Sequence, residues 1–284
     1  MATFFSARRG PAVAFAILAA LVGVLFSLAL GTWLSIGAGN PATRAIHALA
    51  DDAEFRDQAA TFFVDTLTED AGGGADAVLT RNEAAVTAAL SDLIGSPEFT
   101  RELDSISDSA RRWFVDADRT AARISLKPVV TQMVGALEGV DPEFGALRVG
   151  IATLDDFDLA GDGGSSPQFG GFLTALLAVV AGSFLVLAAC AVGYARTARS
   201  AAGAASTGGG ILLGIGALLT ASWFAATTAA SSVAGSQDEA VARTAIPIVA
   251  SALASPFRTV GILWIALGAA GLVAGTVLRR RAAA

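Results

Sequence analysis

The chain has 284 residues, 54% of them hydrophobic and 15% charged, with a mean hydropathy of +0.62 and a formal net charge of −6. A soluble globular protein carries about 25% charged residues, so the shortfall points to lipid as the solvent for part of the chain. A single cysteine, Cys190, and a single histidine, His47, leave no disulfide framework and remove most metal and catalytic constellations.

Four stretches are long and apolar enough to cross a bilayer, which takes about 20 residues as a helix. The first follows a tail at 1–11 and covers 12–36, with no charge between Gly10 and Thr43. Arg8-Arg9 and the small residues Gly37-Ala38-Gly39 also suit a cleaved signal peptide. The apolar run of about 25 residues exceeds the usual h-region, however, so an uncleaved anchor is expected.

An acidic domain is expected over 37–168, mostly helical. Asn40-Pro41 reads as an N-cap and N1 proline, and Phe55, Ala59, Phe62, Phe63 and Leu67 fall on one helical face. Ala71-Gly72-Gly73-Gly74 stops that helix, and Val78, Val86, Leu90 and Leu93 mark the next. Ser96-Pro97 starts a third, with Phe99, Leu103, Ile106, Trp113 and Phe114 as its expected buried positions. Ile124-Ser125-Leu126 alternates before Pro128 opens a helix through Glu138, and Val149 to Leu154 is the other strand-like stretch. The two are expected to pair as a short two-stranded element. Asp52-Ala-Glu-Phe55, Ser96-Pro-Glu-Phe99 and Asp141-Pro-Glu-Phe144 echo one another. The chemistry of a good helix start explains the echo better than a repeat does.

The remaining segments are a second transmembrane helix over 169–194, a loop at 195–207, and a third helix over 208–230. An external loop with an amphipathic helix covers 231–258, a fourth transmembrane helix 259–278, and a tail 279–284. In the external loop Val241, Ala245, Ile248, Val249 and Leu253 form an apolar face that Pro247 is expected to break or kink.

Orientation follows from charge. The two tails and the 195–207 loop hold seven Arg (Arg8, Arg9, Arg196, Arg199, Arg279, Arg280, Arg281) and no acid, whereas the first inter-helix domain has 23 acidic and 10 basic residues. Both termini are expected in the cytoplasm and the acidic domain outside it, in the cell membrane. The fold class is therefore mainly α: a four-helix transmembrane bundle with a mostly helical extracytoplasmic domain inserted between helices 1 and 2.

The spans contain no Asp, Glu, Lys, Arg or His, which argues against proton relays, ion-coupled transport and intramembrane proteolysis. They do carry small residues at four-residue spacing: Ala19, Gly23, Ser27 and Gly31 on the first helix, Gly210 and Gly214 on the third, Gly271 and Gly275 on the fourth. Such faces pack helices in lipid. The face on the first helix, or the external domain, is expected to meet other membrane or envelope proteins. The run from Asp155 to Gly163 resembles a calcium loop but places Ala160 and Pro167 at ligand positions, and reads as an acidic linker. His47, with Asp51 at i+4, reads as a surface histidine, and Cys190 as a small packing residue. Trp33 suits a membrane interface and Trp113 a core. No catalytic, cofactor or metal residues are assigned, no cofactor is expected, and no nucleic acid partner.

Pro97-Glu98-Phe99, Ile124-Ser-Leu-Lys-Pro128 and the segment from Pro247 to Arg258 carry a resemblance to a broad set of uncharacterised actinobacterial integral membrane proteins, which implies no activity. In topology alone the chain is similar to FtsX and MacB type ABC permease subunits. Those also place a large external domain between helices 1 and 2. The tail of about ten residues and the small Ala-rich loop from Tyr194 to Thr207 depart from that pattern by offering no coupling helix. The expected function is non-enzymatic: an external domain that binds, senses or scaffolds, as an accessory subunit of an envelope complex. An FtsX-like transmission subunit is the first alternative and an oligomeric channel the second.

Overall fold

The computed structural model describes residues 10–37, 39–70, 75–116, 118–148, 151, 156–159, 169–198 and 200–283. Arg8, Arg9, Arg199, the Ala71–Gly74 helix stop and most of the 149–154 and 155–167 segments lie outside the described residues. The chain forms two compact units. One comprises Met1–Gly39, Gly171–Ala226 and Ala254–Ala284, and the other Asn40–Gly170 and Thr227–Leu253.

The first unit is built from helices α1 (Gly10–Thr32), α7 (Phe169–Thr197), α8 (Ala201–Ala234) and α9 (Ala240–Ala283), the last three shared in part with the second unit. All four are long and apolar enough to cross a membrane, and helices satisfy every backbone group where hydrocarbon cannot. The chain is a mainly α membrane protein. A π-helical turn, Trp33–Gly37, ends α1 and holds Trp33 half-buried.

At 44 residues α9 is about 66 Å long, roughly twice the ~30 Å hydrocarbon core. It runs unbroken through Pro247 and Pro256. The expected break at Pro247 is therefore absent, and the 231–258 segment is the end of α8, the short connection 235–239 and residues 240–258 of α9. Likewise α8 starts at Ala201, so the loop expected over 195–207 is reduced to Ala198–Ser200 between helices.

Glycines fix the approach of α8 to α9. A Cβ built on Gly209 would lie 2.6 Å from the carbonyl oxygen of Gly268, and one on Gly216 2.6 Å from that of Gly261. One on Gly275 would lie 3.0 Å from the carbonyl oxygen of Ala202. The pairs 202/275, 209/268 and 216/261 step by seven in opposite directions, as an antiparallel seam with the 3.5-residue period of a left-handed crossing requires. Gly271 and Gly275 pack as their spacing suggested, but a Cβ on Gly210 or Gly214 would meet nothing within 4 Å. The working glycines of α8 are Gly209 and Gly216. On α1 the expected face is occupied by this chain's own helices. A Cβ on Gly23 would meet Ile215 at 2.5 Å, one on Gly31 would meet the Phe257 ring at 2.6 Å, and Ser27 is fully buried.

The second unit is helical: α2 (Pro41–Asp51), α3 (Ala53–Asp70), α4 (Ala75–Ile94), α5 (Pro97–Asp116) and α6 (Lys127–Val140), with short 3-10 turns at Arg119–Ala122 and Pro142–Leu147. Its main core gathers Ala60, Val64, Val78, Val86, Leu90, Leu137 and Phe144, and Ala59, Ile94 and Phe99 form a second cluster. The expected positions on α4 hold. On α3 the small residues Ala59, Ala60 and Val64 are buried while Phe62 and Phe63 are exposed, and on α5 Trp113 is buried while Phe114 is exposed. On α5 the adjacent Trp113 and Phe114 point about 100° apart, and Trp113 takes the core side.

Strand β1 (Arg123–Ile124) pairs antiparallel with β2 (Phe157–Asp158), Ile124 opposite Phe157. The two-stranded element exists, but its partner is 157–158, not 149–154. The acidic run supplies this strand, and Leu159 N–H adds a bond to the Ala122 carbonyl at 2.8 Å.

The three echoes are three caps. Asp52 accepts from Phe55 N–H at 2.8 Å, Ser96 from Phe99 N–H at 3.2 Å, and Asp141 from Glu143 N–H at 3.0 Å. The first two open α-helices of 18 and 20 residues and the third a six-residue 3-10 turn. What they share is the start, not a unit.

Candidate functional site

The second unit concentrates its polar chemistry in two places. The first is the seam between α2 and α5. Asn40 caps α2 through its Oδ1, which accepts from Ala42 and Thr43 N–H, while its Nδ2 donates to Asp108 at 2.8 Å. One turn on, Thr43 Oγ1 donates to Ser107 Oγ at 3.4 Å, and a turn further His47 Nε2 meets Asp104 Oδ2 at 2.8 Å. His47 thus pairs with Asp104 on α5 rather than with Asp51. The carboxylate of Asp52, the other acid near it in sequence, is engaged in capping α3. Next to this seam a cleft of about 650 Å³ is lined by Arg101, Asp104, Ser105, Asp108, Arg111, Arg112 and Asp116. It sets three arginines among three aspartates, and Arg111 already reaches Asp116 at 3.8 Å. Mutual neutralisation makes it a poor trap for either a cation or an anion.

The second place is the outer face of α3 beside the start of α9. A cleft of about 310 Å³ is lined by Asp57, Gln58, Thr61, Phe62, Asp65 and Glu239. Gln58 Oε1 accepts from Thr244 Oγ1 at 2.6 Å, which ties α9 to α3, and Ser91 Oγ donates to Asp57 Oδ1 at 2.6 Å. Phe62 and Phe63 stand 45% and 39% exposed with ring centroids 6.3 Å apart in an edge-on pair. Apolar anchors beside carboxylates that form no ion pair among the described residues suit a surface that is both basic and apolar. The signal in the sequence was the adjacency of the two phenylalanines.

Elsewhere, Asp118 caps the 3-10 turn before β1. The Thr120 hydroxyl at 2.6 Å and the Thr120 N–H at 2.9 Å hold its carboxyl below the ordinary value. Glu138 grips Arg148 through two 2.5 Å bonds, which raise the guanidinium pKa. Among the described residues no group of three or more His, Cys, Asp or Glu is arranged to hold a metal ion. Asp158, a position of the calcium-like run, lies in β2 opposite Arg123. Cys190 is buried in the membrane unit.

No protein-family model matches the chain, and neither a curated protein nor a solved structure matches it.

Proposed function

We propose that the chain is a non-enzymatic integral membrane protein with both termini in the cytoplasm. Its acidic helical unit stands outside the membrane and binds or scaffolds an envelope protein, as an accessory subunit of a larger complex. The observation that supports this reading is the exposed Phe62–Phe63 pair next to the cleft of Asp57, Asp65 and Glu239. A basic segment with an apolar residue fits it, and the net acidity of the unit steers such a partner toward it. The Arg-rich, acid-free segments at 195–207 and 279–284 support the orientation. A non-enzymatic role is favoured because the one histidine is engaged with Asp104 and the one cysteine sits in the membrane unit. The FtsX-like role gains no support from a connection of three residues between α7 and α8.

The test is affinity purification of the full chain from its native membranes in mild detergent, beside the double variant Phe62→Ala/Phe63→Ala. The reading expects an envelope protein with a basic surface segment to accompany the wild type and to be lost from the variant. Identical companions in both preparations overturn it. A cytoplasmic ATPase as the companion replaces it with the transmission role.

A further inference from the structure

The membrane unit has an open-sided cavity of about 470 Å³ between α1, α7 and α8. Its walls are made by small residues that leave room where larger ones would fill it: Ala19 and Gly23 of α1, Ala188 and Ala191 of α7, Ala204 and Gly208 of α8. At one end Phe26 packs against Phe184 and Trp264, with ring centroids 6.1 and 6.3 Å apart, and all three rings line the cavity. At the other end lies Tyr194. The lining residues run from Ala16 to Phe26 on α1 and from Phe184 to Ala195 on α7. The slot is therefore about 15 Å long, the depth of one leaflet of a ~30 Å hydrocarbon core.

Among the described residues no charged side chain lines the slot, and an apolar cavity of this kind takes apolar guests. The Tyr194 end of the slot continues into a basic rim. Arg196 is exposed in the last turn of α7, and Arg279 and Arg280 are exposed at the end of α9, where Arg279 donates to Ser206 of α8 at 2.5 Å.

We propose that this slot holds one acyl chain of an anionic bilayer phospholipid, with the phosphate at the Arg196–Arg279 rim. The slot length selects a chain of a single leaflet. The rim selects the charge, since arginines at the membrane surface attract anionic headgroups and pair with phosphate oxygens. The bound chain completes the packing of α1 against α7 and α8, so the lipid acts as a structural ligand of the bundle.

The experiment is native mass spectrometry of the full chain, purified from vesicles of equal phosphatidylglycerol and phosphatidylcholine and stripped with increasing detergent. The wild type is expected to keep one phosphatidylglycerol after other lipids have left. Ala188→Phe, which fills the slot, is expected to keep about tenfold less, and Ala181→Phe, on the exposed face of α7 outside the slot, as much as the wild type. Equal retention by all three proteins, or no retained lipid in the wild type, overturns the proposal. Equal retention of phosphatidylcholine overturns the choice of an anionic lipid.

A second measurement needs no variant. Phosphatidylglycerol carrying a diazirine at the end of one acyl chain is expected to label peptides covering 16–26 and 184–195 of the wild type, and a diazirine fatty acid is not. Label spread evenly over exposed positions such as Leu177 and Leu263, or capture of the fatty acid alone, defeats the assignment.

Discussion

The two units solve the same problem, holding helices together, by opposite means. In the second unit side chains reach from one helix to another: Asn40 to Asp108, His47 to Asp104, Asp57 to Ser91, Gln58 to Thr244. In the membrane unit, apart from the Arg279–Ser206 bond, the hydroxyls turn back on their own helices. Ser27 donates to the Gly23 carbonyl at 2.7 Å, Ser183 to Val179 at 2.6 Å and Thr220 to Gly216 at 2.9 Å. There the helices meet through backbone instead, glycine against glycine. The solvent explains the difference. Water drives apolar burial and leaves polar groups free to pair across helices. Lipid offers no hydrophobic drive between helices, so close van der Waals approach has to supply the association.

The comparison breaks most visibly when each unit is damaged separately. Leu90 is 1% exposed in the second unit's main core, and Leu90→Ala is expected to cost about 2–5 kcal/mol. Far-ultraviolet circular dichroism would show an earlier thermal transition. The reactivity of Cys190 toward a thiol dye, which reads the membrane unit alone, is expected to keep its own midpoint. A joint shift would mean that the units melt as one. The counterpart is Gly268→Ala, whose Cβ would sit 2.6 Å from Leu213 N and 2.7 Å from Gly209 O, both backbone atoms. Forcing two backbones apart costs about 1–3 kcal/mol, now read as earlier Cys190 labelling. Gly210→Ala, with open space around it, is the control and is expected to leave the midpoint in place. Equal effects of the two glycine variants would remove the seam from the account.

Those glycines also mark where sequence reading runs out. Four-residue spacing selects Gly210 and Gly214, because one helix alone shows only which residues share its own face. The seam at 202, 209 and 216 becomes visible only against the antiparallel run 261, 268 and 275, a relation between two helices. The four spans and the caps at Asn40, Asp52, Ser96 and Asp141 were legible, since apolar length and cap chemistry are local. The α3 face was not. Bulk suggested Phe62 and Phe63, yet α3 and α4 approach closely through Ala60 and Val64, and the phenylalanines are left for the surface that carries the candidate site. The pairing of β1 with 157–158 was hidden because an Asp-rich run has poor strand propensity.

A subtler cut separates the two jobs of Asn40. Asn40→Ser keeps a cap oxygen for α2 and loses the bond to Asp108, whereas Asn40→Ala loses both. Capping is worth about 0.5–2 kcal/mol, so Ala is expected to destabilise the second unit further than Ser by about 1 kcal/mol. Equal losses would assign the whole effect to the cross-helix bond and weaken the role given to local caps.

The smallest effect is electrostatic and belongs to the turn before β1. The Asp118 carboxyl is held below its ordinary value chiefly by the Thr120 hydroxyl, then by the Thr120 N–H. A carboxyl whose pKa is lowered on folding adds stability that is present above its unfolded value and lost as pH falls through its folded one. Thr120→Val removes the larger donor and leaves the N–H. The Asp118 pKa is therefore expected to rise toward its ordinary value, and the 119–122 turn to loosen at a higher pH than in the wild type. Carboxyl ¹³C shifts of selectively labelled aspartate across an acid titration read both quantities. No global transition should move, because an exposed carboxylate contributes little to the fold. An Asp118 titration unchanged by the substitution would show that the backbone N–H alone sets its acidity. The cross-strand pair Arg123–Asp158 would then be left to hold that corner of the unit.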